Sequence, residues 1–208
     1  MRSRFLIAAT VLVAAVAVVA VAGAGKTGNG SSTGSALVFV PNPVQSLGDE
    51  SLTDQKDSDG AVPATAYHAV RLTNLDGSGF LRGDYADVYS STGDLAFSPT
   101  NTFAYTRSDD RFEQVMAYYW ITEAQKYIQS LGFGTGKFRP VNMQSQRVRI
   151  NQLGYDNSFA TDHPVDELRF GKGGVDDAED AEVILHEYGH AIHFSQNFDF
   201  GGEGGAIS

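Results

Sequence analysis

The chain has 208 residues, of which 15 are Lys or Arg, 25 are Asp or Glu and none is cysteine. The lack of cysteine excludes a disulfide framework, cysteine-ligated zinc, a thiol nucleophile and lipidation of cysteine. A formal net charge of −10 argues against nucleic acid as a partner, because binding phosphates requires a basic surface. The composition suits an enzyme or a β-rich binding module and does not decide between them.

The N-terminus has the pattern of an export signal. Arg2 and Arg4 precede an uncharged apolar run over residues 5–25 that ends in small residues, an order typical of a cleaved secretory signal peptide. We therefore predict a signal peptide over residues 1–24 and a secreted protein with no stable membrane association after cleavage. An uncleaved membrane anchor is the alternative, since ~17 apolar residues can just span a bilayer.

Linker and strand patterns follow the signal. Residues 25–35 are rich in Gly, Ser and Thr and predict a flexible linker. Residues 36–108 combine short apolar runs with turns, which predicts a β-rich segment that belongs to a catalytic sheet or in part to a pro-segment. The apolar run 37–40 leads into prolines, which favours an edge strand. The runs 70–73 and 85–89 alternate with period two around a glycine-rich turn and predict a hairpin.

Apolar residues recur at helical spacing over residues 110–131, which predicts a long helix. Asp110 and Glu113 fit a capping box at its start. Three strand candidates follow, over residues 147–151, 157–160 and 167–170. With a second helix further along the chain, these elements predict an α+β fold that contains a mainly antiparallel β-sheet.

The second helix is predicted to begin at Asp176 or Asp177 and to continue through Ile192, because apolar residues recur along one side. Five acidic residues crowd its first half: Asp176, Asp177, Glu179, Asp180 and Glu182. The helix dipole favours acidic side chains at a helix N-terminus. A Ca²⁺ site made from some of these carboxylates is the alternative.

This helix contains an H-E-x-x-H motif formed by His186, Glu187 and His190. Four residues make little more than one helical turn, so both imidazoles face the same side and can bind one metal ion. Imidazole nitrogens suit Zn²⁺, and a third protein ligand leaves the fourth position to water. Glu187 is then the candidate general base. His193 is assigned to packing, because three ligands from one straight helix cannot converge on a tetrahedral ion.

The sequence around this motif resembles the thermolysin-like zinc metalloproteases, or gluzincins, and leans to the fungalysin-type branch. The resemblance covers about residues 110–208 and rests on four further segments: 117–120, 154–159, 170–174 and 202–208. It implies the N-terminal lobe of a thermolysin-like fold, with a mainly antiparallel sheet, a long helix and the zinc helix. The helical second lobe of that family is absent from this sequence.

The resemblance also implies residues for substrate binding and for the third zinc ligand. Asn157 and Ser158 match the family's edge strand, where the peptide substrate is held as an added strand. The family's glutamate ligand would occupy position 209, directly after Ser208. Glu203 is the alternative candidate within the sequence.

Residues 109–208 are therefore interpreted as a metalloprotease lobe truncated at its C-terminus. We expect a secreted zinc endopeptidase that cleaves protein or peptide substrates through a zinc-activated water, with Glu187 as general base and with Zn²⁺, and secondarily Ca²⁺, as cofactors. As written, the chain is expected to be inactive or nearly so, because a zinc ligand is missing. The alternative is a non-catalytic secreted module, against which the retained Glu187 argues.

Overall fold

The computed structural model describes residues 32–52 and 57–196. In chain order the longer elements are β1 (Ser32–Val38), α1 (Pro43–Leu47), β2 (His68–Leu75), β3 (Ala86–Ser90), β4 (Thr102–Phe103), α2 (Arg111–Ser130), β5 (Gln146–Leu153), β6 (Phe159–Thr161), β7 (Glu167–Gly171) and α3 (Ala181–Ser195). Short 3₁₀ helices cover Asp59–Ala61, Ala64–Ala66 and Asp177–Glu179. The α+β class is confirmed. The predicted signal peptide lies outside the described residues.

No helix among the described residues is long and apolar enough to cross a bilayer.

The strands form two sheets, each with parallel and antiparallel pairs. The first has the order β2-β1-β4, in which β1 is antiparallel to β2 and parallel to β4. The second has the order β3-β5-β7-β6, in which β3, β5 and β7 are parallel and β6 is antiparallel to β7. The prediction of a mainly antiparallel sheet is therefore wrong for the second sheet. The chain passes from β3 to β5 through the long helix α2, and such a crossover is the connection that parallel neighbours need.

Strand β1 lies between β2 and β4, but β4 pairs only with Ser35 and Ala36. At Leu37 and Val38, in the segment predicted to be at an edge, β2 is the one strand partner among the described residues. The strand ends at Val38, before Pro41 and Pro43. Neither proline therefore removes a hydrogen-bond donor from the ladder. Since β1 begins at Ser32, the last residues of the predicted linker are part of this strand.

The predicted hairpin is also wrong, because β2 pairs with β1 and β3 pairs with β5. The chain does reverse between them, and Leu75 forms an isolated antiparallel bridge to Gly83. The two strands then separate into different sheets. A turn signal in sequence fixes a local reversal of direction, whereas the partner of each strand is decided by distant residues.

Helix α2 packs against strands of both sheets and against α3. Its buried apolar residues include Phe112, Met116 and Ile121, whereas Tyr127 and Leu131 near its end are exposed. The helix has the predicted bounds to within one residue. Its predicted capping box is wrong, since Asp110 makes no side-chain cap hydrogen bond and Glu113 is buried.

Helix α3 begins later than predicted, at Ala181, after a separate 3₁₀ turn. Asp180 caps it by accepting a hydrogen bond from the Glu182 backbone N–H at 2.8 Å. Asn42 Nδ2 donates to the other carboxylate oxygen of Asp180 at 3.0 Å, which ties the start of α3 to the loop after β1. Near the middle of the helix, the buried Tyr188 hydroxyl donates to Gln125 Oε1 of α2 at 2.7 Å. These contacts fix the helix that carries the H-E-x-x-H motif.

Candidate metal centre

The two motif histidines lie one turn apart on α3 with their Nε2 atoms 3.2 Å apart. Their ring planes are 85° to one another, with centroids separated by 4.8 Å. Two nitrogens that each lie ~2.0–2.1 Å from a tetrahedral ion are about 3.3 Å apart. The spacing of His186 and His190 therefore fits two ligands of one zinc ion. It also fits a hydrogen bond between the neutral rings.

Electrostatics favour the neutral, metal-binding form of His190. Burial lowers the pKa of His190, and the neighbouring His186 and His193 lower it further. A neutral imidazole has a lone pair for a metal, whereas a protonated one does not. His186 is exposed and His190 half-buried, so the pair is accessible from one side.

Glu187 lies on the buried side of α3 and is 6% exposed. The backbone N–H of Ala160 in β6 donates a hydrogen bond to its carboxylate. Oε2 has no hydrogen-bond partner among the described residues. Burial raises the pKa of Glu187, and the adjacent His186 opposes that rise. One oxygen is thus oriented by the protein, and the other can accept a proton.

Within the described residues strand β6 pairs with β7 alone, so it lies at the edge of this sheet. Strand β6 packs against α3, and the Ala160 backbone amide lies close enough to Glu187 to oppose the rise that burial causes in its pKa. This arrangement brings the predicted substrate-binding edge next to the motif helix. That contact joins residues far apart in sequence, and no local pattern indicated it.

Asn157 and Ser158 lie directly before β6. Asn157 is exposed. Ser158 Oγ donates to Asp177 Oδ2 at 2.5 Å, which links the start of β6 to the 3₁₀ turn before α3. Their roles in binding substrate stay predictions, with Ser158 already engaged in a structural contact.

The third zinc ligand stays a prediction, because Glu203 lies outside the described residues. Among the described residues, no carboxylate or imidazole completes a three-ligand group with His186 and His190.

The structure also reveals an acidic cluster, made by Asp57, Glu113, Asp176 and Glu179. The sequence indicated Asp176 and Glu179 as candidate calcium ligands and did not connect them with Asp57 or Glu113. A signal for Glu113 existed, because it lies at helical spacing from Met116 and Ala117, which are both buried. For Asp57 the local signal is the run over residues 57–60, which has half of a calcium-loop pattern but lacks its closing glutamate and so favours a solvated loop.

No protein-family model matches the chain, and a search among curated proteins finds no match. An assignment of function therefore depends on the geometry of α3 and β6 and on the motif itself.

Proposed function

We propose that the chain is the zinc-binding lobe of a secreted metalloendopeptidase. One observation carries the proposal: the His186 and His190 Nε2 atoms have the separation of two zinc ligands. Glu187, beside them on the same helix, has a carboxylate oxygen without a partner among the described residues. A third ligand would come from the chain after α3.

The protein groups have distinct roles in this proposal. The chemistry that zinc supplies when bound is acidification of a water and polarisation of the scissile carbonyl. Glu187 takes the proton of that water at Oε2 and passes it to the leaving amine. Its raised pKa helps it to hold the proton between these two steps. The Ala160 N–H keeps the carboxylate in one orientation while this happens.

The substrate would bind as an extended peptide along β6. An edge strand offers unpaired backbone groups to an added strand, so binding does not depend on one side-chain sequence. Asn157 and Ser158 lie where such a peptide would leave or enter the edge. Because β6 contacts Glu187 through Ala160, a peptide on this edge lies close to the proposed base.

Zinc analysis of histidine variants tests the proposal. In a chain extended far enough to supply the third ligand, His186→Ala and His190→Ala should each lose the zinc that the unmutated protein retains after dialysis, because each removes a ligand. His163→Ala is the matched control, since His163 is in an exposed loop with its side chain 89% accessible. Zinc retained by the motif variants would contradict the ligand assignment. Zinc lost equally by the control would show that the metal is bound nonspecifically.

A further inference from the structure

The acidic cluster lies where α2 meets the 3₁₀ turn before α3. Carboxylate oxygens of Asp57, Glu113 and Glu179 lie within 4.8 Å of one another. The carboxyl group of Asp176 approaches that of Glu113. Four acidic side chains from three separate segments therefore face one small volume.

Glu113 is the least expected member, because it is 0% exposed. Neither of its carboxylate oxygens has a hydrogen-bond partner among the described residues. Burying a carboxylate is strongly unfavourable unless the charge is paired or coordinates a metal. An ionised carboxylate can only accept hydrogen bonds, and this holds for the neighbouring Asp176 as well. The carboxyl groups of Glu113 and Asp176 can therefore lie together only if they share a proton or bind a cation.

The nearby basic side chains do not balance these charges. Arg107 is buried and bound to Glu179 through two contacts, Nε to Oε1 at 3.2 Å and Nη2 to Oε2 at 2.9 Å. Lys172 acts on Asp57 and Asp176 from a distance. Its own ion pair, at 3.8 Å, is with Asp110. Two further acids, Asp110 and Asp59, add negative charge near Asp57. Burial raises the pKa of Asp57, and Arg107 opposes that rise. One guanidinium and the more distant Lys172 nevertheless face four carboxylates, so the cluster keeps an excess of negative charge.

The effect of this excess is visible in the proton affinities. Burial raises the pKa of Asp176 to about 6, and burial raises that of Glu179 to about 8 despite its contact with Arg107. Burial and the neighbouring Asp176 hold the pKa of Glu113 well above its usual range. Each group would gain from a positive charge placed among them.

We propose that the acidic cluster binds one Ca²⁺ ion, with both oxygens of Glu113 as central ligands and with carboxylates of Asp57 and Asp176 beside them. An all-oxygen, carboxylate-rich set is the choice of hard cations, and a bidentate glutamate suits Ca²⁺ better than the smaller Mg²⁺. Asp57 is exposed, so the ion has an entry from solvent.

This site uses only part of the acidic group that the sequence suggested for calcium, since it includes Asp176 but neither Asp180 nor Glu182 at the start of α3. There, Asp180 is occupied as the helix cap, and Glu182 accepts a hydrogen bond from Gln45 at 2.7 Å. An ion in the acidic cluster would instead connect α2 to the turn that leads into α3. It would stabilise the position of the motif helix without contacting the zinc site.

Calcium titration of the zinc-loaded chain, first freed of calcium, tests the proposal. Calorimetry should show one Ca²⁺ per chain, and the melting temperature at fixed zinc should rise with Ca²⁺. Glu113→Gln should abolish both effects and keep the wild-type zinc content. Glu182→Gln is the matched control, an exposed glutamate at the alternative site, and should bind Ca²⁺ as the wild type does. Asp57→Asn, on the surface, should weaken Ca²⁺ binding by roughly tenfold or more, since affinity follows the number of charged ligands.

Three results would overturn the proposal. The first is a wild-type chain whose melting temperature is indifferent to Ca²⁺, which would mean that the carboxyl groups share a proton instead. The second is a calcium effect that survives in Glu113→Gln. The third is a calcium effect of unchanged size in Asp57→Asn. This variant provides the decisive measurement in the event that Glu113→Gln does not fold.

Discussion

The two carboxylate oxygens of Glu187 have different surroundings: the carboxylate interacts with the Ala160 backbone amide, and Oε2 has no partner among the described residues. A glutamate that served only to bind a metal or to pair with a base would not need this arrangement. The contrast with Glu182 is informative. On the same helix, Glu182 is exposed and bonded to Gln45, as a solvated helix glutamate commonly is.

Glu187→Gln should leave zinc content unchanged and lower kcat/KM by about 10²–10⁴-fold, the usual contribution of a general base. The glutamine keeps an oxygen that can accept the Ala160 N–H, so the fold should be preserved. The measurement is peptide hydrolysis and zinc per chain, in a protein long enough to supply the third ligand. Glu182→Gln serves as control and should stay fully active. Activity of Glu187→Gln within tenfold of wild type would contradict the assigned role.

At the scale of elements, β6 and the residues before it should govern substrate binding. Asn157→Ala should raise KM and lower kcat/KM while zinc stays bound, because the proposal has Asn157 contacting the peptide backbone. Asn157 is exposed, so little stability should be lost. If Asn157 only shapes the turn, the variant will melt at a lower temperature with unchanged kcat/KM per folded molecule. That result would remove it from the substrate site.

The contact between α2 and α3 gives a prediction about stability. Tyr188→Phe should destabilise the chain by about 1–3 kcal/mol, because it leaves the buried Gln125 Oε1 without its donor. For a chain of this size that lowers the melting temperature by roughly 2–4 °C per kcal/mol. Tyr127→Phe is the matched control on α2, with its side chain largely in solvent, and should change little. Equal melting temperatures for the two variants would show that the Tyr188 hydrogen bond contributes nothing.

Helices were the elements that the sequence predicted best, and the reason is their local character. The apolar stripe of α2 needs only its own residues to be recognised, and its observed bounds match. The pairing of β1, β2 and β3 depends on residues far apart in the chain. The period of a strand shows which residues share a face, but it does not identify the neighbouring strand.

At the scale of the whole molecule, one part of the candidate site could be predicted from local sequence and another part could not. The spacing of His186 and His190 follows from one helical turn, so the sequence alone predicted it. The bond from Ala160 to Glu187 exists only because the second sheet places β6 against α3. The acidic cluster combines residues from α2, a loop and a 3₁₀ turn, and no single segment carries its pattern.

The last prediction concerns the zinc site as a whole. The resemblance places a glutamate ligand at position 209, so a chain extended through that position and the second lobe should bind zinc more tightly than the 208-residue chain. It should also hydrolyse casein in a zinc-dependent way, because a catalytic zinc site needs three protein ligands and a cleft that fixes them. An extended chain that binds stoichiometric zinc without hydrolysing any peptide would favour the non-catalytic module.

Glu203 is the competing ligand, and Glu203→Ala in the extended chain distinguishes the two. If position 209 supplies the ligand, the variant keeps stoichiometric zinc and most of its activity, because Glu203 then lies outside the coordination shell. If Glu203 is the ligand, zinc is lost as fully as in His190→Ala. Replacing the residue at position 209 by alanine gives the reciprocal result. Together the two zinc measurements assign the third ligand, because a site with His186 and His190 needs only one of these carboxylates to reach three protein ligands.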